Sequence, residues 1–346
     1  MKVEMKRVTA NSFGIHRGKD VMLFRIVNQH GAFIEVTNYG ATLVSVVVDD
    51  KYGNPGNVIL GYPSLEGYLT DKCYIGSTIG RFANRIGNAQ FTIDDVQYEL
   101  DRNDGANSNH GGKDGFHGKV FDYQVEEDGV RFSYFSPDGE GGFPGNVRFN
   151  VEFRWNDEQE LSIRYTAETD RATVMNFTNH AYFNLSAVAG SIGEHKLTIV
   201  ANEILEMRDD HVPTGKVLPA GKKAYRNESV KDKFVMANGK LKGLNTYYVF
   251  DINRNKAEKI CVLREKHSGR QLEVFTTFPG MQFYTGDFLM GTSLVNHGRS
   301  FLPFDGLCLE CQYYPDSPNH RHFPSTVITP GQKFDESIRW KFGVSV

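Results

Sequence analysis

The chain sets a histidine, a carboxylate and two arginines in polar surroundings suited to proton transfer and hydroxyl recognition. The densest such segment is Asn176-Phe177-Thr178-Asn179-His180-Ala181-Tyr182-Phe183-Asn184-Leu185. Its Asn, His and Tyr side chains can both donate and accept hydrogen bonds, which suits a ligand studded with hydroxyls. The competing reading of His180 is a histidine satisfied by backbone partners beneath a loop. In Asp305-Gly306-Leu307-Cys308-Leu309-Glu310-Cys311-Gln312-Tyr313-Tyr314-Pro315-Asp316, strand periodicity puts Glu310 on one face with Cys308 and Gln312. A carboxylate among apolar neighbours is costly unless it is paired or functional; the competing reading is a surface Glu at a strand end.

Three more segments carry suitable groups. Gly80-Arg81-Phe82-Ala83-Asn84-Arg85-Ile86-Gly87 offers two arginines four residues apart, with an Asn between, to clamp an anion or bind hydroxyls. Asn109-His110-Gly111-Gly112 has paired glycines that let backbone approach a ligand closely, although the same residues also make an ordinary turn. Pro279-Gly280-Met281-Gln282-Phe283-Tyr284 offers an amide at Gln282 and aromatic faces beside it, against the reading of a turn entering a core strand. Cys308 and Cys311 form a C-x-x-C, but on a strand they face opposite sides, and no second pair completes a metal site.

Strands must position these groups. Short runs rich in Val, Ile, Phe, Tyr and Thr occur at 32–37, 43–48, 130–136, 147–155, 161–167, 196–201, 247–252, 259–265, 271–277 and 306–313. Only Ser64–Leu69 and Ser229–Met236 read as helical turns, the second opened by Ser229 as a cap. Four polar segments (80–87, 101–118, 176–185 and 310–322) interrupt the strand pattern and read as loops. No Pro/Gly/Ser-rich linker or fixed-period repeat divides the chain. The expectation is therefore all-β: one large antiparallel β-sandwich domain over residues 1–346, with very little helix. A parallel α/β fold lacks its crossover helices.

Composition excludes several function classes. A net charge of -3, with no long basic run, argues against nucleic acid as a partner. The stretch Met1–Gly14 lacks a signal-peptide core, and Leu43–Val48 is too short to span a bilayer. Four scattered cysteines fit a reducing compartment. The expected setting is cytoplasmic, with no membrane partner.

Taken in order, the five segments resemble the galactose mutarotase (aldose 1-epimerase) family. The likeness runs from Asn38-Tyr39-Gly40-Ala41-Thr42-Leu43 and Val58-Ile59-Leu60-Gly61-Tyr62, through Ser136-Pro137-Asp138-Gly139-Glu140-Gly141-Gly142-Phe143-Pro144-Gly145, to Thr329-Pro330-Gly331-Gln332. The resemblance implies a galactose mutarotase-like supersandwich with a sugar groove, working as a monomer or homodimer. It implies an isomerase that interconverts the α and β anomers of a free aldohexose, galactose or glucose, with no cofactor and no metal.

By the same resemblance His180 matches the catalytic acid and Glu310 the catalytic base. Asn84, Arg85, His110, Tyr182 and Gln282 match sugar-contacting positions; Arg81, just before them, is left open between a structural role and a ligand contact. One residue departs from the pattern: after Gly243-Leu244 the family usually places an Asp that accepts from sugar hydroxyls, and this chain has Asn245. In the productive state Glu310 is expected to be ionised and His180 protonated, the neighbouring carboxylate holding the imidazole's proton near neutral pH. Three alternatives stay open: a hexose-6-phosphate 1-epimerase using Arg81 and Arg85, a glycoside hydrolase with Asp316 as its second carboxylate, and a non-catalytic sugar-binding protein.

Overall fold

Alternation of side chains along the strands builds two faces, and the faces decide what packs on what. A computed structural model describes residues 7–290 and 299–345. The first six residues of the polar N-terminal stretch therefore lie outside the description. In Val147–Trp155 and Glu160–Thr169 every second residue is buried, so one face of their sheet is apolar and the other polar. That sheet has nine antiparallel strands, with Phe334–Val344 beside Glu160–Thr169 at its centre. Its outer face carries ion pairs such as Arg164–Asp335 and Arg339–Glu160.

Two further sheets cover its apolar face. One has five strands within residues 8–57; the other has six, in the order Tyr182–Phe183, Leu307–Gln312, Gly280–Tyr284, Asn245–Val249, Glu203–Met207 and Pro213–Pro219. Phe24 and Val36 from the first, and Met281, Phe283 and Leu309 from the second, share one continuous core with Phe132, Phe149, Trp155 and Trp340. In a close-packed core single methylene changes are costly. The expected antiparallel β-sandwich is what forms.

Most expected strands are present within two residues at their ends; the 247–252 run begins earlier, at Asn245, and ends at Val249. Among the described residues the sole α-helix is Leu65–Thr70, with Ser64 at its N-cap position. The second expected helical turn is a 3-10 turn, Val230–Lys233, where Asp232 Oδ2 accepts from the Ser229 N–H at 3.0 Å. No helix among the described residues is long and apolar enough to cross a membrane.

Arg81 holds the sandwich together near the site. The residue is 2 % exposed, and its guanidinium donates to Ser136 Oγ at 2.7 Å and to the carbonyls of Pro137, Pro144 and Gly145, each at 2.9 Å. These bonds tie the Ser136–Gly145 turn to the loop that carries Asn84. Arg81→Ala is expected to cost roughly 3–5 kcal/mol, because several buried acceptors lose their donor at once. Urea unfolding of the variant would register this as a lower midpoint; an unchanged midpoint would refute the account.

Candidate active site

The six-stranded sheet forms the floor of a cavity of about 400 Å³. In its ladder Gln282 lies directly opposite Glu310, Tyr284 opposite Cys308, and Asn245 opposite Tyr284. Directly paired residues share a face, as do residues two apart. Glu310, Cys308, Gln282, Tyr284 and Asn245 therefore point away from the nine-stranded sheet, while Leu309, Cys311, Met281 and Phe283 point into the core. The two cysteines of the C-x-x-C fall on opposite faces as the strand reading requires, and all four cysteines are free thiols.

Loops stitched by two-residue ladders supply the walls. Arg85 pairs with Asn109, which brings Asn84 and Arg85 beside His110. Asn84 and His110 both hold left-handed backbone, at φ 66° and 52°. Such a conformation is uncommon for residues with a Cβ and gathers at functional sites. The Asn84 N–H donates to His110 Nδ1 at 3.3 Å, so the ring's proton sits on Nε2. Burial, with His180 and Arg85 nearby, drives the His110 pKa well down and keeps the ring neutral. His180 is clamped through its backbone: its N–H donates to Ser77 O at 2.9 Å, and its carbonyl accepts from the Gly76 N–H at 3.0 Å.

All eight residues singled out in the sequence line this cavity: Asn84, Arg85, His110, His180, Tyr182, Asn245, Gln282 and Glu310. His180 Nε2 stands 3.8 Å from Glu310 Oε2, with both side chains almost wholly buried. Glu310 Oε2 has no hydrogen-bond partner within the described chain. Burial pushes the Glu310 carboxyl up to about 8, moderated by the Arg85 charge, and pulls His180 down to about 4. In the sugar-free protein burial thus opposes both of the charges expected of the productive state, on His180 and on Glu310. Desolvation is the largest cause of both shifts.

Several expectations are refined. The asparagines of 176–185 do not face the cavity but bind backbone: Asn176 donates to Ala83 O and Tyr313 O, Asn179 to Gly76 O, and Asn184 to Gly190 O and Asp305 O. Only His180 and Tyr182 of that segment reach the site. Tyr182 spends its hydroxyl on Cys73 O at 3.1 Å, leaving its ring for contact, 5.1 Å from the His180 ring. The segment is also less loop-like than expected, since Thr178–Asn179 and Tyr182–Phe183 are paired.

Arg81 is consumed by Ser136 and backbone carbonyls, so a phosphate clamp of Arg81 with Arg85 is unavailable. Asp316 accepts from the Gly87 N–H at 2.9 Å and from the Asn319 amide at 2.6 Å and does not line the cavity, which removes it as the second carboxylate of a hydrolase.

The sequence reading missed Asp104 and Tyr74. Asp104 accepts from Arg85 Nε at 2.6 Å and aims the guanidinium into the cavity. Tyr74 packs against the rings of His110 at 4.8 Å and His180 at 5.8 Å. Half-buried Asp71 holds the turn through Tyr74, accepting from the Ile75 N–H at 2.9 Å and the Tyr62 hydroxyl at 2.8 Å. Membership of the 101–118 loop is the one signal that pointed near Asp104. His110, His180 and Glu310 bring ligand-type atoms within 4.8 Å of one another, a set that could hold a divalent cation.

A buried histidine–carboxylate pair in a cavity lined by hydrogen-bonding side chains, on an antiparallel β-sandwich, is an arrangement suited to an enzyme acting on a hydroxyl-rich ligand, and comparison with known proteins specifies the family. The aldose 1-epimerase family matches residues 22–341. Galactose mutarotase of Homo sapiens is 38 % identical over 315 residues, covering 90 % of this chain and 91 % of its own. Aldose 1-epimerase of Escherichia coli K12 is 31 % identical over 334 residues, covering 94 % and 96 %. Among solved structures, an aldose epimerase homologue from C. elegans superposes with a TM-score of 0.84 at 25 % identity, covering 94 % of this chain and 99 % of that one. The chain belongs to the aldose 1-epimerase family, and it is an isomerase.

Proposed function

We propose that the protein is a mutarotase that interconverts the α and β anomers of a free aldohexose, galactose or glucose, with Glu310 as base and His180 as acid. The observation that carries this reading is the 3.8 Å approach of His180 Nε2 to Glu310 Oε2 in a cavity lined by hydrogen-bonding side chains such as Asn84, His110, Asn245 and Gln282, with Arg85 beside them. An anomeric carbon bears two oxygens, its hydroxyl and the ring oxygen, and groups this close can address both. Glu310 removes the hydroxyl proton while His180 protonates the ring oxygen. The C1–O5 bond opens to an aldehyde, the C1–C2 bond rotates, and the ring recloses on the other carbonyl face with the two proton transfers reversed.

The displaced pKa values serve this exchange. A carboxylate held up to about 8 is a stronger base once ionised, and an imidazole held down to about 4 is a stronger acid once charged. A sugar hydroxyl donating to the partnerless Glu310 Oε2 supplies the hydrogen bond that favours the carboxylate. Asn84, Arg85, His110, Tyr182, Asn245 and Gln282 hold the sugar.

The active form carries one proton on the pair. Rate plotted against pH is therefore expected to be bell-shaped, falling on the acid side near about 4 and on the alkaline side near about 8. Polarimetry on freshly dissolved α-D-galactose and α-D-glucose tests the activity. Return to equilibrium no faster than buffer alone would end the proposal.

A further inference from the structure

We infer that Asn245 meets the sugar as a hydrogen-bond donor and so sets this chain's preference for an accepting group at one position of the substrate. The inference rests on the mutarotase reading above and concerns which hexoses and analogues the site takes.

A relay of side-chain amides fixes the direction. The Arg85 backbone N–H donates to Asn84 Oδ1 at 2.8 Å; Asn84 Nδ2 donates to Gln282 Oε1 at 3.3 Å; Gln282 Nε2 donates to Asn245 Oδ1 at 2.5 Å. A backbone N–H can only donate, so the first amide must turn its oxygen to Arg85. Turning any one amide over would set donor against donor or acceptor against acceptor. Turning all of them would point the Asn84 NH₂ at the Arg85 N–H. The polarity therefore propagates to the end of the relay.

At that end the Asn245 oxygen is taken. Its Nδ2 makes no hydrogen bond among the described residues, and Asn245 lines the cavity. The group offered to the sugar is an N–H. An Asp here, as the family pattern has it, would accept from Gln282 with one oxygen and present a second, charged acceptor. The exchange of one atom reverses the direction of this sugar contact and removes its charge. A hydroxyl can answer either partner, because it carries both a proton and lone pairs. A fluorine in its place can accept weakly but cannot donate.

Deoxyfluoro sugars therefore read the polarity. The experiment measures kcat/KM by polarimetry for D-galactose and D-glucose and their 2-, 3-, 4- and 6-deoxyfluoro analogues, with wild type and Asn245→Asp. Comparing the fluoro-to-hydroxyl ratio between the two proteins cancels each analogue's intrinsic reactivity. At one position the ratio is expected to fall by roughly 10- to 100-fold in Asn245→Asp relative to wild type, the range for losing a hydrogen bond to a charged group. Equal ratios at every position would overturn the inference.

Asn245→Ala gives a second test. It should lower both the hydroxyl and the fluoro substrate of that position, the fluoro one by less, if wild type donates there, whereas a fluoro substrate left unchanged or improved while the hydroxyl one falls would mean that wild type accepts. A wild type that accelerates neither parent sugar would remove the mutarotase reading and this inference with it; turnover of the parents with equal fluoro ratios would remove this inference alone.

Discussion

Glu310→Gln is expected to lower kcat by about 10²- to 10⁴-fold, the range for one positioned proton-transfer group, and at the same time to raise thermal stability at alkaline pH. Gln keeps the shape and one acceptor but cannot take the anomeric proton. The stability gain follows from linkage. The Glu310 pKa is raised by burial from 4.5 to about 8 in the folded chain. Folded protein thus holds an extra proton between those values, and its stability drains as pH rises through that window. A glutamine side chain does not titrate, so the Tm of the variant should exceed that of wild type by more at pH 8 than at pH 5. Thermal unfolding at the two pH values, with polarimetry on the same samples, checks both halves. A variant with near wild-type turnover would sink the role given to Glu310.

His180→Asn is expected to lose a similar factor in kcat, about 10² to 10⁴, with its stability effect on the acid side. Burial lowers the His180 pKa from 6.5 to about 4. The unfolded chain therefore binds the extra proton between those values, and folded wild type loses stability as pH falls through them. The Asn variant should be spared that loss. Combining the two substitutions should cost much less than the product of the single effects, because the acid and base work on one bond. A double variant slower by the full product would mean that they act in separate steps. Binding measured apart from turnover, by sugar protection against unfolding, should change far less than kcat in each variant.

The floor of the site was legible because strand periodicity is a local signal. Leu307-Cys308-Leu309-Glu310-Cys311 states its own two faces, and the resemblance marked which polar residues sit on the outer one. Side-chain partners across the fold were not legible. Asn176, Asn179 and Asn184 have the same chemistry as Asn84, and only the chain's path shows that they are spent on carbonyls. Asp104-Gly105 announces a turn, but only the pairing of Arg85 with Asn109 brings that turn to the arginine.

The N-terminal strand Val8–His16 escaped notice because it is an exposed edge with little apolar alternation. Phe334–Val344 did carry the signal, with Ile338, Trp340 and Phe342 alternating inward, but charged residues between them obscured it. How strongly burial opposes the charges of the pair was not legible, because proximity is visible in a resemblance while depth of burial is not.

The direct pairing of Gln282 with Glu310 has a bearing on how the protein assembles. A slip of one residue between those strands would turn either the carboxylate or the amide into the apolar interior and expose Leu309 or Phe283 to water. Such a chain would be both inert and poorly folded. Turnover per milligram after dilution from denaturant should then report the fraction of molecules whose strands have found their true neighbours, which makes the catalyst an internal gauge of its own refolding yield.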